Sequence, residues 1–435
     1  MNRRLQKFNL VLSALIIVFA VSSCNGQNNG RKRRVSTQNN IVQKDTIDPK
    51  VLTEKEGNTH KPVVNVYVEN SGSMDGFVNG QTDFENQVYG YLSDIKISDI
   101  TDSLNLYYIN SEVISYARGA DEDVIEDFIK KLEPSEFKKR GGDRGKSDIA
   151  DVIKSILKET NENDISILIT DGIFSPGKDS SGNPVNADEY LKNQEVGIKT
   201  AVASKLKKQT NFAVIVYQLI SSFDGTFYNK IDAKIACQER LPFYIWVFGQ
   251  SSNLAQLRSV VSEDRFNASG SGVQRMVSFT SSQETDYEVI KSSNMSKKSG
   301  RHEVVGLTAN KNGEMRFSVN VDLKSLLLDE NYLRNINNYE ISDKDYTLNV
   351  RAKQEQTKYS HVLSFTINRN KRKNGQLDVK LKMSKPDWSD VNDNEGETYV
   401  IGKTYGIKYQ IDGVYSAFSF KNKYYTEIVL DINNE

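Results

Sequence analysis

Between Pro62 and Val261, short apolar runs alternate with longer stretches in which apolar residues recur every three or four positions. The short runs predict strands and the longer stretches predict amphipathic helices. The predicted strands are Val63–Val68, Leu104–Ile109, Val113–Tyr116, Ile165–Thr170, Phe212–Leu219 and Phe243–Phe248. The predicted helices are Phe84–Ile95, Asp121–Leu132, Asp148–Thr160, Asp188–Lys208 and Ser252–Val261. This alternation predicts an α/β domain over residues 61–262, with a doubly wound, mostly parallel sheet that helices cover on both faces.

After Arg301 the pattern changes to short alternating segments separated by polar turns. These segments predict strands without intervening helices, which is typical of a β-sandwich or a barrel. We predict a β-rich C-terminal domain over residues 301–435, with a sandwich as the preferred architecture. The Ser-rich segment 263–300 is predicted to connect the two domains. The predicted strands are Glu314–Leu323, Tyr346–Ala352, His361–Asn368, Leu377–Met383, Tyr405–Gln410 and Thr426–Ile432.

The amino terminus has the pattern of a secretory signal peptide. Arg3, Arg4 and Lys7 precede a largely apolar run from Leu10 to Val21. That run is too short to span a bilayer comfortably, since about 20 apolar residues are needed. Residues 1–23 are therefore predicted to be a signal peptide and are excluded from the fold.

The residues after this run, Val21-Ser22-Ser23-Cys24, resemble the lipobox of bacterial lipoproteins. The resemblance implies cleavage before Cys24, lipidation of that residue and attachment to a membrane. The alternative is an ordinary signal peptide followed by an incidental cysteine. Asn25-Gly26-Gln27 lacks the acidic pair that favours inner-membrane retention, so the outer membrane, on its periplasmic or surface face, is the expected location.

The segment 24–60 is rich in Asn, Gln, Lys and Thr and poor in large apolar residues. It is predicted to be a flexible tether, because so little apolar surface cannot offset the entropy of ordering the chain. The basic run Arg31–Arg34 either contacts anionic head groups near the anchor or is simply solvated.

The overall charge excludes a strong general attraction for nucleic acid. Lys+Arg and Asp+Glu both number 57 in the whole chain. Besides Cys24 the chain has one other cysteine, Cys237, so an intrachain disulfide is not expected if Cys24 is lipidated. Cys237 lies in an apolar-periodic stretch and is predicted to be a buried packing residue.

Polar residues follow two of the predicted strands and precede one helix. Glu69-Asn70-Ser71-Gly72-Ser73 ends the first strand, and Thr170-Asp171-Gly172 ends the strand Ile165–Thr170. Ser147-Asp148-Ile149-Ala150-Asp151 opens a helix after Gly141-Gly142. Loops at the carboxyl ends of strands in a doubly wound sheet converge on one crevice, so these three segments are expected to share a site.

The first, third and second of these segments occur along the chain in the order of three motifs of von Willebrand factor A domains, which they resemble: D-x-S-G-S, a second loop in which a Thr precedes a helix of small and aliphatic residues, and T-D-G. The resemblance implies a metal-ion-dependent adhesion site in which Glu69, Ser71, Ser73, Ser147 and Asp171 hold Mg²⁺ or another divalent cation. Such a site has few direct charges, so an acidic side chain of a protein partner completes the shell. The implied function is a membrane-anchored binding protein.

Two positions depart from the family pattern. Glu69 stands where the family has Asp, and its extra methylene would reposition or displace a water of the site. Ser147 stands where the family has Thr and lacks the methyl group that restricts the rotamer. Asp75 is an alternative ligand, whereas Asp143 and Asp148 are predicted to be solvated or helix-capping.

Two other functions stay open. One is a structural lipoprotein of an envelope assembly, in which the fold is kept and the metal site is degenerate and metal-free. The other is a hydrolase that uses one of the serines, which needs a positioned base. His60, His302 and His361 all lie outside residues 61–262, and no G-x-S-x-G, H-E-x-x-H or P-loop motif is present, so enzyme activity is not expected.

Overall fold

The computed structural model describes residues 61–145, 148–174, 185–229, 233–261, 266, 272–353, 357–391 and 403–433. Thr59–Glu435 forms one compact unit. The predicted signal peptide, Cys24, the tether and Ser147 lie outside the described residues, so these predictions remain untested. The domain boundaries at 262 and 300 also stay predictions.

Within the described residues, the first half of the chain forms a seven-stranded sheet with the order β3-β2-β1-β4-β6-β5-β7. Its strands are β1 Val63–Glu69, β2 Ser103–Ile109, β3 Val113–Ala117, β4 Ile165–Thr170, β5 Phe212–Tyr228, β6 Lys234–Gln250 and β7 Arg275–Thr280. The strand β7 lies inside the segment predicted to be a connection, yet it pairs with β5.

The sheet is mixed, and the prediction of a mostly parallel sheet was wrong. In the described residues β1 is parallel to both β2 and β4, whereas the other neighbouring pairs are antiparallel. The reason is the short connection between β5 and β6. Neighbouring strands joined by a short connection run antiparallel, so β6 opposes β5. The sheet also places β6 next to β4, and it opposes that strand as well.

Helices cover both faces of this sheet, as predicted. They are α1 Asp83–Ile97, α2 Glu122–Lys130, α3 Pro134–Lys139, α4 Ile149–Glu159, α5 Ala187–Lys208 and α6 Ser251–Val260. Successive strand residues face opposite sides of a sheet. Val66 of β1 accordingly packs in one apolar cluster with Val88 of α1, while Tyr67 packs in another with Ile153 of α4.

Helix boundaries follow local capping chemistry. The carboxylates of Asp121 and Asp148 accept hydrogen bonds from the first turns of α2 and α4, and the Asn186 side chain does the same for α5. These contacts satisfy backbone N–H groups that have no partner inside the helix. The predicted capping role of Asp148 is confirmed.

The strands β5 and β6 are much longer than predicted. Their outer halves, residues 220–228 and 234–242, extend the hairpin beyond the paired part of β4. Phe223 anchors this extension because its ring packs edge-on against Phe77 at a centroid distance of 4.9 Å. Gly225 allows the close approach, since a Cβ atom there would lie 2.6 Å from the Cα of Gly76. Cys237, on β6, is buried as predicted.

The rest of the chain is rich in strands. Within the described residues, one four-stranded sheet has the order β12-β13-β10-β8 and another has the order β11-β14-β15-β9. The strands are β8 Tyr287–Val289, β9 Glu303–Val305, β10 Glu314–Val321, β11 Tyr339–Ile341, β12 Thr347–Ala352, β13 His361–Asn368, β14 Gly375–Lys382 and β15 Tyr424–Asn433. Buried residues of both sheets, such as Phe365 and Leu430, belong to one apolar cluster.

Helices interrupt this part of the chain: α7 Glu330–Arg334, α8 Asp387–Val391 and α9 Ile407–Phe418. The predicted strand Tyr405–Gln410 was therefore wrong, since most of it belongs to α9. Ile407, Ile411 and Val414 of this helix are fully buried, which indicates that packing against its neighbours decides its conformation. No helix in the described part of the chain combines the length and the apolarity needed to cross a bilayer.

Candidate functional site

The candidate site lies where β1 and β4 end. These strands are parallel neighbours, with Val68 paired to Ile169. Glu69 is the last residue of β1, and Asp171 directly follows β4. Both side chains are almost completely buried. The sheet thus brings together two acidic residues that are separated by about a hundred positions in sequence, as the sequence predicted.

Thr170 holds the Glu69 side chain in place. Its hydroxyl donates a short hydrogen bond to Oε2 of Glu69 and accepts one from the backbone N–H of Gly172 at 2.8 Å. A buried carboxylate needs such donors, because water is not available to solvate it. Thr170 belongs to the recognised T-D-G segment, but sequence reasoning gave it no role.

Asp171 has one satisfied and one unsatisfied carboxylate oxygen. Its Oδ1 accepts a hydrogen bond from the N–H of Ile173 at 2.9 Å. Its Oδ2 is buried and has no hydrogen-bond partner among the described residues. Burial, together with the nearby charge of Glu69, raises the pKa of Asp171 from 3.8 to about 8. Ser73 lies close enough to lower that pKa, without a hydrogen bond of normal geometry to Oδ2.

The serines of the first loop lie next to one another. The hydroxyl oxygens of Ser71 and Ser73 are 2.9 Å apart, and either can donate to the other. Ser71 is buried, whereas Ser73 is half-buried and begins a short 3₁₀ helix, Ser73–Phe77. The first loop therefore presents two neutral oxygens beside the Glu69–Asp171 pair.

The loop at residues 141–145 also reaches the first loop. The N–H of Gly72 donates to the carbonyl of Arg144 at 3.0 Å. In return, the Arg144 guanidinium donates to the carbonyls of Asn70 at 2.7 Å and Ser71 at 3.1 Å. It also pairs with Asp75, so Asp75 serves the loop as an ion-pair partner. The hydroxyl of Ser147 lies outside the described residues, and its place in the site stays a prediction.

Two asparagines connect the ends of β1 and β2 to each other and to the loop at residues 141–145. Asn70 and Asn110 directly follow β1 and β2, and the Asn110 amide donates to Asn70 Oδ1 at 3.1 Å and to the Gly141 carbonyl at 3.0 Å. Gly142 has a φ of +70°, and a Cβ atom there would lie 2.0 Å from Asn110 Oδ1. Sequence reasoning missed these asparagines and Arg144. The one sequence feature that could have identified them was their position. Asn70 and Asn110 directly follow strands, and Arg144 lies shortly before Ser147.

An open crevice of about 480 Å³ adjoins the first loop. Gly72, Arg144 and Lys138 line it on one side, and Asp224 and Tyr228 of the extended hairpin line it on the other. Acidic and basic side chains both line the crevice, so its charge favours neither anionic nor cationic groups strongly. It leaves room for a partner's side chain beside Gly72, whereas the neighbouring Ser71 and Ser73 are not among its lining residues.

The donor set suits a hard divalent cation. Mg²⁺ prefers oxygen ligands at 2.0–2.1 Å in an octahedron, which places adjacent ligand oxygens about 2.9 Å apart. The hydroxyls of Ser71 and Ser73 have this spacing. The unsatisfied Oδ2 of Asp171 supplies a further acceptor beside them. In the described residues no group of three or more His, Cys, Asp or Glu side chains is placed to hold a metal, so an ion here would depend on the hydroxyls.

Comparisons with known proteins show little similarity. No family model matches the chain, and no curated protein matches it. One solved structure with partial similarity is that of an aerotolerance-related membrane protein from Bacteroides fragilis NCTC 9343 with multiple mutations to serines. The identity is 14%, the match covers 34% of this chain and 63% of that one, and the TM-score is 0.23. Similarity at this level identifies neither a family nor a function.

Proposed function

We propose that Glu69, Ser71, Ser73 and Asp171, completed by Ser147, hold a divalent cation, with Mg²⁺ the best match. The observation that carries this proposal is the buried Oδ2 of Asp171, which has no hydrogen-bond partner in the described chain and lies beside Glu69 and two adjacent hydroxyls. A cation would satisfy this oxygen and offset the repulsion between the two carboxylates.

The proposed role of the ion is to bind an acidic side chain of a protein partner. With few direct charges around it, the cation keeps affinity for one more carboxylate, and the proposed route of access is the open crevice that Gly72 lines. The mixed sheet with helices on both faces is compatible with a von Willebrand factor A-like domain. We propose that the C-terminal sheets form a sandwich that serves as a spacer or a second contact surface.

We further propose that the chain is a lipoprotein of the cell envelope, attached through Cys24, and that it binds rather than catalyses. Support for the attachment is the sequence Val21-Ser22-Ser23-Cys24 after an apolar run. Support for a binding role is the nature of the side chains around the site. The described residues that contact Ser71 and Ser73 there include no histidine base.

A second candidate is a metal-free domain with a structural role in an envelope assembly. Arg144 favours it, because the guanidinium already ties together the carbonyls of Asn70 and Ser71 and the Asp75 carboxylate. Thr170 likewise satisfies one oxygen of Glu69. These contacts hold the loops together without an ion.

Mg²⁺ titration distinguishes the two candidates. Under the metal proposal, Mg²⁺ at a hundredfold excess over its Kd stabilises the folded chain by about 2.7 kcal/mol. Binding also releases a proton from Asp171, so calorimetry in buffers of different ionisation enthalpy should detect it. Asp171→Asn should abolish both effects. Asp224→Asn, an exposed acid of the same crevice, should keep them.

Partner binding needs its own test. In the presence of Mg²⁺, the unaltered chain should capture a partner protein from solubilised envelopes. Chelation of Mg²⁺ should abolish this capture, and so should the double variant Ser71→Ala/Ser73→Ala. Ser155→Ala, on the exposed face of α4, is the matched control. A lack of any response to Mg²⁺, with assembly intact in the double variant, would favour the metal-free candidate.

A further inference from the structure

The outer face of α5 is flanked by two grooves. The groove between α5 and α4 has a volume of about 740 Å³, and the groove between α5 and the end of α9 has a volume of about 480 Å³. Thr200 and Ser204 of α5 line both, so the grooves form one continuous surface. We call this surface the α5 face. It is separate from the site at Glu69 and Asp171.

The α5 face is strongly basic although the whole chain has equal numbers of basic and acidic residues. Asp151 is the one acidic residue that lines either groove in the described chain, and it pairs with a lysine at 3.7 Å. Lysines line both grooves, and those on α5 lie in its carboxyl-terminal half, from Lys199 to Lys208. Those with exposed or half-exposed side chains are Lys154, Lys158, Lys199, Lys207, Lys208 and Lys421.

Large apolar side chains project from the same face. Phe420, just after α9, is 75% exposed, and Val196 of α5 is 59% exposed. The Nζ of Lys199 lies 5.4 Å from the centroid of the Phe420 ring, so charge and aromatic surface are adjacent. Val196 and Lys207 are eleven residues apart, which places them on one side of the helix about three turns from each other.

We infer that the α5 face contacts an anionic phospholipid surface. Lysines attract acidic head groups, while their alkyl stems and the side chains of Phe420 and Val196 enter the boundary with the acyl chains. The exposed and half-exposed lysines of α5 on this face, Lys199 to Lys208, span about 14 Å along the helix, and lysines of α4 and of the segment after α9 widen the basic surface on its two sides. That spread of charge matches a uniformly anionic plane better than a single acidic side chain, and projecting apolar groups suit a deformable lipid layer better than a rigid protein surface.

Such a contact leaves the candidate site accessible. Phe212, the first residue of β5, pairs with Gln250, whereas Thr170 at the end of β4 pairs with Tyr244. The carboxyl end of α5, which immediately precedes β5, is therefore at the edge of the sheet opposite Asp171. Lipid bound near Lys207 and Phe420 would keep the Ser71–Asp171 rim directed away from the membrane. This inference does not depend on whether the site holds a metal.

Vesicle co-sedimentation tests the inference with residues Thr59–Glu435, which form one compact unit and lack both Cys24, the proposed site of lipidation, and Arg31–Arg34. We expect binding to phosphatidylcholine vesicles with about 30 mol% phosphatidylglycerol and little binding to pure phosphatidylcholine. Lys199→Gln/Lys207→Gln/Lys421→Gln should weaken binding on the order of a hundredfold, at about fivefold per lysine. Phe420→Ser should weaken it about tenfold.

Matched control variants test whether vesicle binding requires the α5 face or only exposed basic residues anywhere on the surface. Lys298→Gln/Lys311→Gln/Lys344→Gln removes the same charge from exposed positions elsewhere, and Ile336→Ser removes an apolar side chain that is 50% exposed. Both should bind as the unaltered chain does, and circular dichroism should show all variants folded. The inference would be overturned if phosphatidylglycerol did not increase binding of the unaltered chain. It would also be overturned if the control variants weakened binding as much as the α5-face variants. An acidic protein partner would then become the better explanation of the face.

Discussion

The hydroxyl of Thr170 donates a hydrogen bond to Oε2 of Glu69, and this contact joins the ends of β4 and β1 at the candidate site. Both residues are fully buried. The longer side chain at position 69, where the resembled family has Asp, is thus held by a specific partner on the neighbouring strand. The contact makes the geometry of the site depend on Thr170 as well as on the acidic residues themselves.

Replacing Thr170 by Val keeps the shape of the side chain but removes the hydroxyl. The Glu69 carboxylate then loses a donor in a place that water does not reach, so Thr170→Val should lower the free energy of unfolding by about 1–3 kcal/mol. Chemical denaturation would measure this. Thr200→Val, at an exposed position of α5, should stay within about 0.5 kcal/mol of the unaltered chain. Equal effects of the two substitutions would contradict the assigned role.

The raised pKa of Asp171 predicts a pH-dependent stability in the absence of metal. Between about pH 4 and about pH 8 the folded chain holds a proton that the unfolded chain has released. This contribution to stability is complete below the lower value and is lost as the pH rises through the upper one. Asp171→Asn stays neutral and should remove that part of the slope. Urea denaturation in EDTA across this range, with Asp224→Asn as the control that keeps the slope, checks the prediction.

Replacing Glu69 by Asp should lower the stability of the metal-free chain and raise its affinity for Mg²⁺. Glu69→Asp loses the reach to Thr170 and leaves a gap of one methylene, which should destabilise the metal-free chain by about 1–2 kcal/mol. The same change restores the acid of the resembled motif and should raise Mg²⁺ affinity by about tenfold. Denaturation in EDTA and Mg²⁺ calorimetry would measure the two effects. A variant that loses both stability and Mg²⁺ binding would contradict this assignment.

Arg144 is predicted to stabilise the first loop and to oppose cation binding. Its side chain is 16% exposed and its guanidinium donates to two backbone carbonyls, so Arg144→Gln should cost about 2 kcal/mol of stability. Removal of a positive charge near the hydroxyls should also raise Mg²⁺ affinity. Lys138→Gln removes a charge from the exposed side of the same crevice and should change stability by less than about 0.5 kcal/mol. An Arg144→Gln variant as stable as Lys138→Gln would show that the loop does not need the guanidinium.

The sequence by itself determined the local elements that carry the site. The strands Val63–Val68 and Ile165–Thr170 and the helix that Asp148 caps were all predictable, because each depends on neighbouring residues: apolar periodicity or a capping side chain. The meeting of Glu69 and Asp171 was also predictable, since parallel neighbouring strands end at the same edge of a sheet.

Only the tertiary structure decided the rest. The placement of β6 between β4 and β5, and the extension of that hairpin past Leu219, depend on pairing and on packing against Phe77, which no local pattern encodes. Tyr405–Gln410 is too short for its periodicity to distinguish strand from helix, and burial of α9 selects the helix. Arg144 gains its role only when its loop folds back on Ser71. In each case the deciding interaction joins residues far apart in the chain, and its energy exists only once the chain has folded.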